Sequence, residues 1–428
     1  MFRTKKFFVI YSCICIFSSS TVIAQLKIDA DIRPRFEYRH GFGNLFPDNA
    51  EPAVFVQQRT RLNIGYSINK IAIGLSVQDV SVWGDTPQIS TSDLNDSFAL
   101  FQAWISYQFN EYWSTKLGRQ VLSYDDQRIL GGLDWAQQGR FHDAALIRYN
   151  KDSFKIDLGF AFNQENVSNE GNDFLLEQAF SYKTMQYAHL HKTWSNFDLS
   201  FLFLNTGFQI LKEENNEIVT DGVNFIQTTG FYFNKPYKNG KLFGSAYYQF
   251  GENSNKQSLS AYQFYVETEY KPQNTAYGIG IEMLSGSNQD DAAKTKSFTP
   301  LYGTNHKFNG YMDYFYVGNH ANNVGLNDLY AKAIIKTGKK SNLLVKGHYF
   351  LANAKLMNDE SKYLGTEIDL VYTLNPIKDV TLNVGYSQML ASDSMSLIKD
   401  GRPNDNFNNW GWIRLMFKPT LFQTKPSS

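Results

Sequence analysis

Cysteine is nearly absent from this chain of 428 residues, since Cys13 and Cys15 are its only two. The chain after them has no thiol with which to form a disulfide or a cysteine-ligated metal site. Long hydrophobic runs are missing as well. A membrane-spanning helix needs a run of about 18 or more apolar residues, and residues 25–428 contain no such run. These absences exclude a disulfide-rich secreted domain and a helical membrane protein.

The chain also lacks an excess of charge of either sign, with 41 basic and 41 acidic residues. Leaving out the three basic residues near the N-terminus, 38 basic residues face 41 acidic ones, a net charge of −3. Such a balance predicts no nucleic-acid partner. No proline- or serine-rich hinge divides the chain, so we predict one large closed architecture in place of several domains.

The N-terminus has the features of a secretion signal. Three basic residues among the first six precede an apolar core over 7–17, and the small side chains of 22–24 suit a cleavage site. The apolar run is short for the alternative, an N-terminal membrane anchor. We therefore predict a signal peptide over 1–24 and an outer-membrane domain over 25–428.

Aromatic residues are abundant, at 16% of the chain, although hydrophobic residues reach only 43%. In eighteen segments every second residue is apolar or aromatic; in 54–68, for example, Leu62 and Ile64 alternate with Arg59 and Arg61. This period of two is typical of β-strands with one face in lipid and the other in water. We predict strands over 26–40, 54–68, 71–84, 97–109, 113–124, 141–149, 153–163, 183–194, 197–208, 225–234, 241–251, 260–271, 275–286, 326–338, 341–352, 364–375, 380–391 and 409–419.

The connections between these segments alternate in length. Short turns, such as 69–70 and 195–196, alternate with longer polar loops that include 125–140, 209–224 and 287–325. Outer-membrane barrels combine short periplasmic turns with long extracellular loops, and an open sheet would leave unpaired backbone groups in lipid. We therefore predict an all-β fold: a single transmembrane antiparallel up-and-down β-barrel of about 18 strands in the Gram-negative outer membrane.

The loop 287–325 is long enough to do more than connect two strands. It contains the aromatic-rich run FNGYMDYFYVG at 308–318. Two interpretations stay open for this run. Its aromatic side chains either fold into the lumen as a constriction or plug, or form a surface hairpin.

Arginine residues are the main candidates for function. Strand parity predicts that Arg59, Arg61 and Arg148 face the lumen, and Arg33 and Arg35 share one parity on the first strand. A carboxylated polysaccharide in a narrow pore needs cations that keep their charge and bind carboxylates in a forked geometry, which arginine does better than lysine. The same arginines would equally brace a wide lumen through carboxylate pairs, with no role in transport.

Three more arginines are candidate pore-lining residues. Arg119 shares the parity of Leu117, which predicts an outward orientation unless a bulge at Gly118 resets the register. Arg128 and Arg140 lie in a predicted loop that can fold inward. We include all three arginines in the candidate site.

Acidic residues interleave with these arginines. We include Asp125, Asp126 and Asp143 among the pore-lining candidates, and Asp134 lies between them. Isolated arginines would trap an anionic polymer, so neighbouring carboxylates would weaken its binding enough to let it move.

An enzyme is a minority interpretation. His189 and His191 lie two apart on a predicted strand, so both can reach one metal ion, but no third ligand is indicated. His142 and Asp143 have opposite parity, and the chain contains no Gly-x-Ser-x-Gly motif. We predict no catalytic activity, no metal and no cofactor.

Three stretches resemble a known family. The run GRQVLSYDDQRILGGLDWAQQGRFHDAALIRY at 118–149, QRTRLNIGY at 58–66 and HKFNGYMDYF at 306–315 resemble the alginate-export family of Gram-negative outer-membrane proteins. The resemblance implies an eighteen-stranded monomeric barrel whose arginine-rich constriction attracts a polyuronate.

The sequence therefore predicts an outer-membrane channel that passes an anionic polysaccharide or oligosaccharide by passive diffusion. Its expected partners are this saccharide and the lipid of the outer membrane. A general diffusion porin for small solutes is the first alternative. A non-conducting barrel that adheres through its extracellular loops is the second, if those loops fill the lumen.

Overall fold

The computed structural model describes residues 24–424 except for 86–97, 172–173, 175–180, 215, 254, 291–294 and 321–322. The predicted signal peptide lies, apart from residue 24, outside the described residues. None of the helices in the described part of the chain is long and apolar enough to cross a membrane.

The alternating segments form nineteen strands in the described part of the chain, and every one of the eighteen predicted strands is present. In chain order they are β1 (Gln25–His40), β2 (Ala53–Ile68), β3 (Ile71–Val82), β4 (Phe98–Gln108), β5 (Trp113–Gln120), β6 (His142–Lys151), β7 (Phe154–Phe162), β8 (Thr184–Trp194), β9 (Phe197–Glu214), β10 (Glu217–Tyr237), β11 (Gly240–Glu252), β12 (Ser258–Tyr270), β13 (Thr275–Leu284), β14 (Leu326–Lys336), β15 (Ser341–Leu351), β16 (Tyr363–Leu374), β17 (Val380–Ala391), β18 (Asn408–Phe417) and β19 (Thr420–Gln423).

The sheet closes on itself. Consecutive strands from β1 to β18 pair antiparallel, and β1 also pairs with β18, with Arg35 opposite Arg414. The extra strand β19 is four residues long and pairs with the start of β1, where Lys27 lies opposite Gln423. This closed barrel confirms the predicted fold class.

The two faces of the sheet differ in chemistry, as the alternation predicts. On β3, Ile71, Ile73 and Leu75 are exposed, whereas the polar side chains of Ser76 and Gln78, which have the opposite parity, are buried. Exposed apolar side chains on the outside suit contact with lipid, and buried polar ones on the inside need partners. The inward face therefore carries most of the polar and charged side chains.

The prediction of a loop over 209–224 is wrong. Strands β9 and β10 continue as a hairpin as far as Glu214 and Glu217. They run well beyond the 9 to 11 residues that a tilted strand needs to cross a bilayer, because alternation persists through Ile210. A bulge near Gly222, whose φ is +94°, adjusts the register.

Short helices are found only between strands in the described residues. They are α1 (Val317–His320), α2 (Asp393–Ile398) and the 3-10 turns Asn305–Lys307 and Met357–Asp359. The side chain of Ser392 caps α2 by accepting a hydrogen bond from the backbone N–H of Met395, which satisfies one of the free donors at a helix start.

Two connections fold into the barrel. We call 121–141 the first inserted segment and 295–315 the second inserted segment. They pair with each other in parallel near Leu130 and Tyr302, and the Gly131 N–H donates to the Tyr302 carbonyl at 2.9 Å. The described part of loop 287–325 thus enters the lumen and does not form a surface hairpin.

The inserted segments form a core inside the barrel. Apolar side chains from both are almost fully buried, and they pack with residues of the inward strand faces: Leu122, Ile129, Leu130, Tyr302, Met312, Tyr314, Phe350, Met389 and Trp410. Strand β5 ends at Gln120, before the predicted end at 124, because the chain turns into this core.

Candidate functional site

Five inward-facing arginines lie on three adjacent strands. Arg33 and Arg35 on β1 lie beside Arg59 and Arg61 on β2, and Arg414 of β18 is opposite Arg35. We call these five residues the arginine wall. Their like charges repel one another at this spacing, so the wall needs oxygen ligands to be stable.

The first inserted segment supplies many of those ligands. Arg33 donates from Nη1 to the carbonyl of Asp134 at 2.7 Å, from Nη2 to the carbonyl of Ala136 at 3.1 Å and from Nε to Oε1 of Gln137 at 2.8 Å. The Arg33 side chain is 0% exposed. Its guanidinium group is therefore fully occupied by the protein itself.

Arg35 and Arg59 also bind the first inserted segment, whereas Arg61 has its closest partners on β3 and β4. Arg35 donates to the carbonyl of Trp135 at 2.9 Å, and its guanidinium lies 4.5 Å from the centre of that indole ring. Arg59 donates to Oδ1 of Asp134 at 3.1 Å. Arg61 donates to Oε1 of Gln78 and contacts the ring of Phe101.

Acidic side chains on β1 balance part of the charge. Asp31 forms an ion pair with Arg59, and Glu37 accepts from Arg35 at 2.7 Å. Both acids share the parity of Arg33, so strand parity alone predicts that they face the lumen. Neither is among the pore-lining candidates named from the sequence. The wall therefore combines cations with carboxylates of the same strand.

Arg128 crosses from the first inserted segment to the opposite side of the barrel. Its Nε and Nη2 donate to the two carboxylate oxygens of Glu282 on β13 at 2.7 and 2.9 Å. It also donates to Asn309 at 2.7 Å and to Asn305 at 3.2 Å, and its guanidinium lies 4.4 Å from the ring centre of Phe308. One buried arginine thus joins both inserted segments to the barrel.

Carboxylates on β13 to β16 hold the second inserted segment. Asn309 donates to Glu282 at 2.8 Å and to Asp328 at 3.3 Å. Glu367 accepts from the backbone N–H of Met312 at 2.9 Å. Gly310 has a φ of +85°, and a Cβ at this position would lie 2.6 Å from the Glu367 carboxylate, so the close approach requires glycine.

The two predicted acidic loop residues, Asp125 and Asp126, also have hydrogen-bond partners inside the barrel. Asp125 accepts from Ser200 at 2.6 Å and lies 3.0 Å from His189 Nε2, which accounts for the histidine that we considered as a metal ligand. Asp126 accepts from the Arg128 N–H at 3.0 Å. In the described ranges no group of three or more metal-ligating side chains occurs.

Arg140 joins the two inserted segments near their ends. Its Nη1 donates to the carbonyl of Gly303 at 3.0 Å. This contact places Arg140 inside the barrel. Its charge faces the second inserted segment and not the arginine wall.

Arg119 and Asp143 do not line the pore. They are opposite each other on β5 and β6, with the parity of the exposed Leu117. Arg119 donates from Nε and Nη2 to the two oxygens of Asp143, each at 2.9 Å. Gly118 has a φ of +113°, but the pairing stays in step through it, so no bulge turns Arg119 inward.

Arg148 lies on the lumen face of β6, opposite Ser114 and Asp157. Its side chain is 37% exposed, and its closest carboxylate oxygen, on Asp157, is 3.4 Å away. Of the sequence-predicted arginines inside the barrel, Arg148 is the one whose guanidinium faces open space.

Two cavities occupy the end of the barrel that carries the short turns. One, of about 270 Å³, lies beneath Asp126 and Lys307 of the inserted segments and is lined by acid and lysine side chains of β11 to β15. The other, of about 520 Å³, is lined by Arg148 and residues of β4 to β7. Both of these cavities therefore lie on the side of the short turns.

Comparisons with known proteins agree with this architecture. A model of the alginate-export family matches residues 24–396. The chain is similar to Acinetobacter baumannii OccAB4 with a TM-score of 0.62 and 12% identity, covering 94% of this chain and 99% of that one. It is also similar to a BenF-like porin from Pseudomonas fluorescens Pf-5, with a TM-score of 0.60 and 11% identity over 92% of this chain and 99% of that one. Its similarity to Pseudomonas aeruginosa OpdQ has a TM-score of 0.58 and 11% identity over 93% of this chain and 98% of that one. Identities this low indicate a shared fold only. No curated protein matches the sequence.

Proposed function

This chain belongs to the alginate-export family and forms a channel of the Gram-negative outer membrane, and we propose that its solutes are carboxylated saccharides. They pass by passive diffusion, and each barrel acts as a monomer. Family and fold are those of porin channels and not of enzymes.

The arginine wall is the observation that supports this proposal. Arg33, Arg35 and Arg59 hold a row of oxygen atoms from the stretch 134–137. A polyuronate presents a similar row of oxygens, with a carboxylate on every sugar. Arginine binds carboxylates in a forked, charge-assisted geometry, so the wall suits such a chain chemically.

Uptake into proteoliposomes tests the proposal. We expect a trimer of mannuronate to enter faster than neutral mannotriose of the same length, because a cationic wall raises the local concentration of anions. Arg59→Gln should reduce this preference. Arg119→Gln, which changes an arginine on the outer face, should leave it unchanged. Equal rates for the two sugars through the wild-type channel would contradict the proposal.

A general diffusion porin for small solutes is the second candidate. It is favoured by the inserted segments, which fill part of the lumen, and by cavities of about 270 and 520 Å³. The similarity to a BenF-like porin agrees with it. Under this interpretation the wall arginines brace the lumen, and permeation depends on solute size and not on carboxylate content.

A further inference from the structure

We propose that Glu367 and Asp369 on β16 bind one proton between them, and that this proton holds the second inserted segment inside the barrel. We call these two residues the acid pair. Loss of the proton releases the segment, so the width of the lumen depends on pH. The inference concerns how the channel opens and does not depend on which solute passes.

The acid pair is fully buried beneath the second inserted segment. Both side chains share one parity on β16, and both are 0% exposed. Glu367 Oε1 accepts from the Met312 N–H at 2.9 Å, and Gly310 packs directly against the same carboxyl group. The segment therefore covers the pair, and water can reach the two carboxyl groups only if the segment moves.

One oxygen of each acid lacks a donor. Among the described residues, Glu367 Oε2 and Asp369 Oδ2 are buried without a hydrogen-bond partner, although the two carboxyl groups lie within hydrogen-bonding reach of each other. Two ionised carboxyl groups in contact offer only acceptors and repel each other. A single shared proton makes one of them a donor, which satisfies both oxygens and removes the repulsion.

The bases around the acid pair do not neutralise it. On β15, His348 is opposite Glu367 and Lys346 is opposite Asp369. The His348 Nδ1 lies 2.8 Å from Asp328, whereas its Nε2, which is buried without a partner, lies 3.6 Å from Asp369. Lys346 forms no ion pair in the described part of the chain. Three carboxyl groups thus face two bases, so one negative charge is left even when both bases are charged, and the shared proton compensates it.

The other elements that pack against the acid pair add no charge. Strand β17 places Ser387 and Met389 opposite the two acids. The second inserted segment contributes Tyr311 and Tyr314, whose phenol groups are neutral at about pH 7. Helix α2 contacts the start of β16, and its one acid, Asp393, is exposed. These neighbours supply no cation that could replace the proton.

The direction of the pH dependence follows from the number of bound protons. In the closed form the pair holds a proton that carboxyl groups in water lose by about pH 5. The closed form therefore binds more protons than a form in which the segment has moved and the pair is hydrated, so a rise in pH favours opening. One proton corresponds to an increase of up to about tenfold in the open population for each pH unit.

Infrared difference spectroscopy of the full-length barrel in detergent detects the proton itself. A protonated carboxylic acid has a C=O band that a carboxylate lacks, and the wild type at neutral pH should show such a band that Asp369→Asn lacks. Asp143→Asn, which changes an aspartate of the outer face, should leave the band unchanged. Glu367→Gln serves as the second variant if Asp369→Asn does not fold, because either amide replaces the proton by an N–H donor. Identical C=O bands in the wild type and a folded acid-pair variant would overturn the proposal.

Hydrogen exchange over a pH series measures the release of the segment. Protection of peptides from 308–315, relative to an unfolded peptide at the same pH, should fall in the wild type and in Asp143→Asn as the pH rises. Asp369→Asn should keep its protection, because its amide cannot lose the proton. Protection that is independent of pH in the wild type would refute the switch. A fall that persists in Asp369→Asn but is abolished in His348→Gln would assign the proton to the histidine and overturn the role of the acid pair.

Conductance in planar bilayers tests the effect on the lumen. Wild-type conductance should rise with pH in parallel with the loss of protection, and Asp369→Asn should remain near the value that the wild type has at acidic pH. A conductance that stays constant while protection falls would contradict the link between the proton and the width of the lumen.

Discussion

Replacing Arg128 by methionine should release the inserted segments from the barrel. The Arg128 guanidinium is the shared partner of Glu282, Asn305 and Asn309. Methionine keeps much of the side-chain volume and the contact with Phe308 but removes every hydrogen bond that the guanidinium makes. The change thus tests the ion pair with little loss of packing.

The expected loss can be bounded. Removing one partner of a buried ion pair costs about 3 to 5 kcal/mol, because the other charge stays buried without compensation. Glu282 still accepts from Gln263 at 3.0 Å and from Asn309 at 2.8 Å, so the lower end applies. A loss of about 3 kcal/mol corresponds to roughly a hundredfold increase in the open population of the inserted segments.

Hydrogen exchange followed by mass spectrometry measures this population. Peptides from 121–141 and 295–315 should lose protection in Arg128→Met, whereas peptides from β16 should keep theirs. Arg119→Met removes a similar forked pair from the outer face and should not change exchange in the inserted segments.

A double variant separates the charge from the contact. In Arg128→Met with Glu282→Leu no buried charge is left alone, and buried pairs replaced by apolar residues are often as stable as the original. We expect the double variant to recover much of the lost protection. If Arg128→Met alone keeps wild-type protection in both inserted segments, the ion pair does not anchor them and the reasoning is refuted.

Three further positions offer simpler tests. Gly118→Ala should lower the urea concentration at which half of the barrel unfolds, because this residue has a φ of +113° and its new Cβ would lie 2.3 Å from a backbone oxygen of β4. Gly65→Ala is the control: no atom lies within 4 Å of its Cβ position, so the midpoint should not change. Burial lowers the pKa of Lys399, next to α2, from 10.5 to about 8. Between pH 8 and 10.5 the unfolded state therefore binds more protons than the folded state, so the stability of this loop should rise with pH across that window. A fluorescent probe on α2 measures this rise, and Lys399→Met should abolish it. Asp134→Asn removes an exposed carboxylate partner of the arginine wall and should raise anion selectivity, which the reversal potential measures. The increase should be less than about fivefold, because such exposed pairs contribute at most about 1 kcal/mol. A fall in anion selectivity would contradict it.

The strands could be predicted because their signal is local. In β7, Phe154, Ile156 and Leu158 alternate with Lys155 and Asp157, and this pattern needs no knowledge of the rest of the chain. The same rule also indicates the outward orientation of Arg119, which the register bears out. Arg119 lines the pore only if a bulge at Gly118 reverses its face, and the pairing of β5 with β4 and β6 shows no such bulge.

The inserted segments could not be predicted in the same way. Arg128 finds Glu282 across 154 residues, and nothing near either residue indicates the pairing. The run at 308–318 left two orientations open because its aromatic residues suit a buried core and a membrane surface alike. Only the closed barrel, which brings β13 to β16 around this run, distinguishes the two.

Under the proposed function, the arginine wall would select chains over single sugars. The atoms that Arg33 and Arg35 now bind are mostly uncharged carbonyl oxygens, and a carboxylate binds a guanidinium more strongly than such an oxygen does. The first inserted segment, however, is tethered, so its oxygens are present at a high effective concentration. A single uronate must compete with all of them at once, whereas a polymer carries one carboxylate on each sugar and gains a similar advantage from linkage. The arrangement therefore favours an oligomer that can engage several guanidiniums in succession.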